Sequence, residues 1–130
     1  MSSSTGTRGV RGLALAPRTL LGAEGVALAV AGVGAYWVRD ASWLLFALLL
    51  FAPDLSMLGY LAGPRVGSAA YNLAHTLVAP AALLAAGLLG GVPLAVDAAL
   101  VWVVHVGGDR ALGYGLKYPT AFGDTHLGRL

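Results

Sequence analysis

Four long apolar stretches, each separated from the next by only a few residues, constrain this chain more than any other feature. A bilayer crossing needs about 20 consecutive, mostly apolar residues in a helix. The stretches run from Thr19 to Val38, Ser42 to Ala62, Ser68 to Leu89 and Ala95 to Leu116, the last being the most polar. None shows the strict apolar/polar alternation of a β-barrel strand. The breaks at 39–41, 63–67 and 90–94 are short, and short connections force antiparallel neighbours. The expected fold is therefore all-α: an integral membrane up-down bundle of four transmembrane helices.

Composition agrees. Charged residues make up 11% of the chain and hydrophobic ones 58%, too much apolar surface for a small soluble domain to bury. The net charge of +2 comes from few, scattered basic residues without a stripe or aromatic platform, so nucleic acid is not an expected partner. There is no cysteine, which excludes thiol catalysis, disulfides and thiolate metal sites.

Basic residues orient membrane helices by accumulating on the cytoplasmic side. Arg8, Arg11 and Arg18 precede the first span, Arg65 lies in the second break, and Lys117 and Arg129 follow the fourth span. All six share one side in a four-span chain, whereas Arg39, Asp40 and Asp97 take the other. Both termini are thus expected in the cytosol, and the location is a bacterial cytoplasmic membrane crossed several times. The chain divides into a flexible Ser/Gly-rich N-terminal tail at 1–16, a transmembrane domain at 17–116 and a cytosolic or interfacial tail at 117–130. The apolar stretch after Arg18 is too long for a cleaved signal core and reads as a retained helix. The tail carries Tyr118, Phe122 and His126 and reads as an amphipathic anchor, with His126 able to fold over the mouth of a site. Gly22, Gly25 and Gly32 in the first span allow close helix packing in lipid. Tyr36, Trp37 and Trp43 read as an interfacial aromatic belt, with core packing the alternative.

Ionisable groups inside spans carry the functional information, because they are costly in hydrocarbon and face a bundle interior or a wet cavity. They are Glu24, Asp54, His75, His105, Asp109 and Arg110. At 1.5 Å per residue, Glu24 lies about 8 Å from the cytoplasmic end of its span, Asp54 about 12 Å, His75 and Asp109 about 10 Å, and His105 about 16 Å. Every span places at least one such group in the inner half of the bilayer, as one cytoplasm-facing site would require. His105 and Asp109 share a helix face at i,i+4, as do Tyr71 and His75, with Asn72 beside them. Pro53 should kink the helix just before Asp54. Gly107, Gly108, Gly113 and Gly115 should weaken the fourth helix around Asp109 and Arg110.

Two chemistries fit. Asp54, His75, His105 and Asp109 are candidate ligands for a divalent metal ion such as zinc, iron or manganese. Glu24, His105 and Asp109 can alternatively serve as a metal-free acid/base set. Tyr71, Asn72, Arg110 and His126 are supporting candidates, Arg110 by pairing with Asp109 or Asp54 or by reaching the inner headgroups. Serine nucleophiles are scarce: Ser56 lies off the Asp54 face and Ser68 at a helix start. The substrate of such a site would be membrane-soluble. A proton-coupled transporter or channel would need a homodimer or larger assembly, since four short spans hardly enclose a pore. A non-catalytic scaffold would use the polar groups only as hydrogen-bonding glue.

Several segments together resemble a known family. They are PDLSMLGY at Pro53 to Tyr60, YNLAH at Tyr71 to His75 and HVGGDRALGYGLKYPTAFGDTHLG at His105 to Gly128, with Glu24 in the first span. They are similar to the small bacterial integral membrane proteins of the domain of unknown function 4260 family, over about Arg18 to Gly128. The residues before the first span fall outside the resemblance. It implies a multi-span membrane protein and supplies no named activity and no site assignment.

Overall fold

A computed structural model describes residues 16–119 and 122–129. The expected N-terminal tail therefore lies, Ala16 apart, outside the described residues. The architecture is all-helical, with five α-helices and one 3-10 helix; among the described residues the only β-pairing is an isolated antiparallel bridge between Lys117 and Thr125. The α-helices are α1 (Pro17–Val38), α2 (Trp43–Leu50), α3 (Pro64–His75), α4 (Val78–Gly90) and α5 (Pro93–Leu112). The 3-10 helix, Ala52–Ala62, continues α2.

Two stretches are long and apolar enough to cross a membrane, Pro17–Val38 and Trp43–Ala62, and a third qualifies if α3 and α4 form one span bent by 42°. The outward face is apolar as lipid exposure demands: Val38, Leu61 and Leu89 are 83%, 89% and 90% exposed. The helix α5 does not meet the same test of length and apolarity, since Asp97, His105, Asp109 and Arg110 lie in it. It is instead the most enclosed element, with Ala99, Leu100, Val101, His105, Val106 and Gly107 buried. The α1 and α4 helices pack against it, and α2 to a lesser extent.

Small residues set the α1–α5 distance. A Cβ built on Gly25 would meet the Gly107 carbonyl oxygen and Arg110 Cβ, both at 2.5 Å, and one on Gly32 would meet Val104 Cγ2 at 2.7 Å. Gly25 and Gly32 thus act as expected. Gly107 does not weaken its helix: α5 runs unbroken to Leu112, and Gly107 is where α1 comes closest, its own added Cβ meeting the Gly25 carbonyl oxygen at 2.7 Å.

Three expected spans are interrupted or shifted. The α2 helix stops before Pro53, whose ring and missing N–H oppose a continuing α-helix, and the chain tightens into the 3-10 helix that carries Asp54. The third stretch begins at Pro64, so most of the expected 63–67 loop is helical, and it breaks at Thr76, which is extended at φ −84° and ψ 153°. Pro80 explains the break, because it has no N–H to give the Thr76 carbonyl. The last span runs Pro93–Leu112 rather than to Leu116, and Asp97 lies inside it rather than at its start.

At the end of the bundle opposite the tail, Arg39 Nε donates to Asp97 Oδ1 at 2.6 Å and ties the α1–α2 turn to α5. The aromatic belt divides there. Tyr36 is fully buried, its hydroxyl donating to the Ser42 carbonyl, while Trp37 is 72% exposed. Tyr36 belongs to the core with Val96, Leu100 and Val101.

Candidate metal centre between the helix breaks

The break in the third stretch positions the first candidate ligand. His75 ends α3 and is 2% exposed. Its Nδ1 lies 2.8 Å from the Tyr71 carbonyl oxygen. A carbonyl only accepts, so Nδ1 carries the proton, and in the neutral ring Nε2 presents a lone pair. The Tyr71 ring stacks flat on the imidazole, with centroids 3.7 Å apart and an interplanar angle of 8°.

Carbonyls left open at the end of a helix need donors, most of all at membrane depth. Trp102 Nε1 donates to the Ala74 carbonyl, and Arg110 Nη2 donates to the His75 carbonyl at 3.2 Å. Arg110 therefore caps a broken helix. No ion pair joins it to Asp54 or Asp109 among the described residues.

The other candidate ligands arrive from two elements. The 3-10 helix brings Asp54; its tightening is fixed partly by Ser56 Oγ, which donates to the Pro53 carbonyl at 2.7 Å. One face of α5 brings His105 and Asp109, one turn apart. His75 Nε2 lies 3.0 Å from Asp54 Oδ1, 3.1 Å from His105 Nε2 and 3.6 Å from Asp109 Oδ2. His105 Nε2 lies 3.1 Å from Asp54 Oδ1 and 3.2 Å from Asp109 Oδ2. One donor atom from each of the four residues falls within 4.8 Å of every other. Four tetrahedral donors at zinc-like bond lengths of 2.0–2.1 Å would stand about 3.3–3.4 Å apart. The five spacings that involve an imidazole, 3.0–3.6 Å, bracket that value, and the two carboxylate oxygens lie within 4.8 Å of each other.

His75 Nε2 and the two carboxylates face one point as acceptors, and His105 Nε2 accepts or donates with its tautomer; a cation or protons among them hold such a set together. The two imidazoles are buried, whereas the side chains of Asp54 and Asp109 are 37% and 21% exposed. Both carboxylates line a cavity of about 500 Å³ shared with Met57, Tyr71, Tyr114 and Lys117. Glu24 is exposed on α1 and is not among the clustered residues.

The chain beyond α5 folds back over this cavity. Asn72 holds it from α3: Lys117 N donates to Asn72 Oδ1 at 2.6 Å, and Asn72 Nδ2 donates to the Lys117 carbonyl at 2.7 Å. The Leu116 amide donates to His126 Nδ1, and the His126 amide donates to the Leu116 carbonyl, both at 2.8 Å. Leu127 is fully buried, so the described part of this segment is a folded lobe. His126 fastens the lobe and is not one of the clustered ligands. Burial, then the Arg110 charge, holds the His126 imidazole below its usual pKa. Lys117 is buried as well, which lowers its pKa; its Nζ donates to the Phe122 carbonyl and sits 4.6 Å from the Tyr71 ring centroid. Residue types alone gave no sign of the Asn72 clamp or of Lys117 in the cavity wall.

Comparison with known proteins adds one finding: a family model described as a domain of unknown function (DUF4260) matches residues 18–130. No curated protein and no solved structure matches.

Proposed function

The chain belongs to the DUF4260 family, whose function is unknown, and from that premise we propose that it is a multi-pass membrane protein whose His75, His105, Asp54 and Asp109 hold one divalent transition-metal ion. The observation that carries this reading is the convergence of the two buried Nε2 atoms, 3.1 Å apart, on two carboxylate oxygens. Two nitrogens and two oxygens suit zinc, iron or manganese. The protein crosses a cytoplasmic membrane four times with both termini inside, α3 and α4 forming one bent span, and the metal lies in the inner half of the bilayer. The positive-inside distribution of Arg18, Arg65, Lys117 and Arg129 supports that orientation.

Structural zinc sites are closed, and catalytic ones keep an open coordination position. Here the carboxylate side of the cluster borders the cavity of about 500 Å³, so a ligand can reach the metal. The reading is therefore metal-dependent chemistry on a membrane-soluble substrate. In it, Tyr71 orients His75 and Arg110 holds the α3 end in place.

A metal-free acid/base pair of His105 and Asp109, at 3.2 Å, is the second reading. The lone pair of His75 aimed at the same point favours the metal. A proton-coupled carrier in a homodimer fits less well, because the polar cavity opens on one side of the cluster only. A purely structural scaffold leaves that cavity unexplained.

The test is metal affinity by chelator competition for wild type, Asp54→Asn, Asp109→Asn and Glu24→Gln. Both Asp variants should lose at least tenfold in affinity while Glu24→Gln binds as wild type. Equal affinity in all four proteins would overturn the assignment.

A further inference from the structure

The cavity beside the carboxylates is built by two parts of the chain. The bundle contributes Asp54, Met57, Tyr71 and Asp109, and the segment after α5 contributes Tyr114, Lys117, Phe122 and Thr125. Tyr114 and Phe122 are 59% and 51% exposed and stand where the cavity meets the surface. Lys117 is only 9% exposed. Its Nζ lies 3.6 Å from the Phe122 ring centroid and 4.6 Å from that of Tyr71. The Tyr71 ring also stacks on the His75 imidazole, so one ring stands next to both the ammonium and a candidate metal ligand.

The surroundings of Lys117 hold it without cancelling its charge. Among the described residues no carboxylate lies within ion-pair distance of it. The Phe122 carbonyl takes one of its three hydrogens, and the two ring faces add cation–π contact. Burial disfavours the ammonium, and the nearby charge of Asp109 partly offsets that. A dication held by Asp54 and Asp109 neutralises both carboxylates and ends that support. Arg110 is not cancelled either: its guanidinium donates to the His75 and Tyr114 carbonyls. Two positive charges therefore remain beside the loaded site. Thr125, whose hydroxyl oxygen accepts the Gly128 amide at 2.9 Å, adds an O–H donor to the wall.

We infer that this cavity takes a phosphate monoester, bound at the metal and beside Lys117. This rests on the metal reading above and names the ligand class for it. A phosphate monoester carries about two negative charges at pH 7 and several strong acceptor oxygens. That charge matches the two uncancelled cations, whereas a carboxylate or a phosphodiester brings only one negative charge. The phosphate group occupies the one cavity of about 500 Å³, and no part of the ligand has to pass the cluster. The shared recognition chemistry is a terminal phosphate; a phosphatidate head group and a soluble monoester are the two sources.

The zinc-loaded protein in phosphatidylcholine nanodiscs is titrated calorimetrically with ethyl phosphate, diethyl phosphate and acetate. Ethyl phosphate should bind about tenfold tighter than either monoanion, the worth of roughly one charge-assisted hydrogen bond. Lys117→Gln should abolish that preference with metal content and protection of the residue 117 amide unchanged, and Lys117→Arg should restore it. The comparison of the three anions on wild type stands even where a variant fails to dock its lobe. Phosphatidate in the nanodisc should compete with ethyl phosphate when the lipid is the source, whereas the diester phosphatidylglycerol should not. Ethyl phosphate binding that phosphatidate leaves unchanged assigns the soluble source. Equal affinity for ethyl and diethyl phosphate, no binding of ethyl phosphate, or a full preference retained in Lys117→Gln would overturn this inference alone. So would phosphatidylglycerol competing as well as phosphatidate. A protein that takes up no metal would overturn the proposed function and this inference with it.

Discussion

His75 and His105, thirty residues apart, bring their Nε2 atoms to 3.1 Å, one from the broken end of α3 and the other from the middle of α5. Two imidazole nitrogens that close, with carboxylate oxygens 3.0–3.2 Å away, are the basis of the proposed cation site. The neighbouring elements are shaped around that contact, and the predictions follow from how each supports it.

Tyr71 fixes His75 twice, through its backbone carbonyl and through its stacked ring. Groups that orient a metal-bound histidine are typically worth 10–100-fold in affinity. Tyr71→Leu keeps the carbonyl but removes the stack, and should weaken metal binding about 10-fold. Tyr71→Phe keeps both and should bind as wild type. Chelator competition on the two variants decides it.

Asn72 makes two hydrogen bonds to the Lys117 backbone. Asn72→Ala removes both and should destabilise docking of the terminal lobe by about 1–3 kcal/mol. Hydrogen exchange at the Lys117 amide should accelerate accordingly, while amides in the middle of α5 keep their protection. Unchanged exchange at Lys117 would show that the lobe is held by other contacts.

Gly25 meets α5 so closely that any side chain must push the helices apart. Overpacking of this kind costs about 1–3 kcal/mol or more. Gly25→Leu should lower the midpoint of thermal unfolding in detergent. Gly34→Leu, where an added Cβ meets nothing within 4 Å, should leave it unchanged.

His126 accepts the Leu116 amide through Nδ1 and is kept below its usual pKa. When the lobe is released, the imidazole regains a pKa near 6.5 and takes up a proton first. Docking is thus strongest above about pH 6.5 and weakens as pH falls toward the lowered folded value. His126→Asn, which retains an acceptor but does not titrate, should remove this pH dependence from Leu116 amide exchange. A variant with the same acid profile as wild type would assign the effect elsewhere.

The cluster was legible because charge inside an apolar stretch is rare and depth follows from counting residues. Asp54, His75, His105 and Asp109 shared a stratum on that count, and they meet. Depth does not give azimuth, and that is where Glu24 departs. Successive residues turn about 100° around a helix, so with Gly25 packed on α5, Glu24 is rotated away and exposed. The change of helix type at Asp54 was signalled by Pro53, whereas the break at Thr76 was missed: the stretch from Ser68 to Leu89 was expected to run through, although Pro80 lies in it. The Asn72 clamp had no such signal, since it joins residues 45 apart through a backbone that no periodicity describes.

Elemental analysis of the detergent-purified protein, wild type beside a His75→Ala/His105→Ala variant, decides whether the cluster holds a metal ion. Near-stoichiometric zinc, iron or manganese in wild type, lost from a variant that keeps its helical circular dichroism, is the expected result. Wild type without metal, even after reloading, or a variant that retains it, would rule out a metal ion at this cluster.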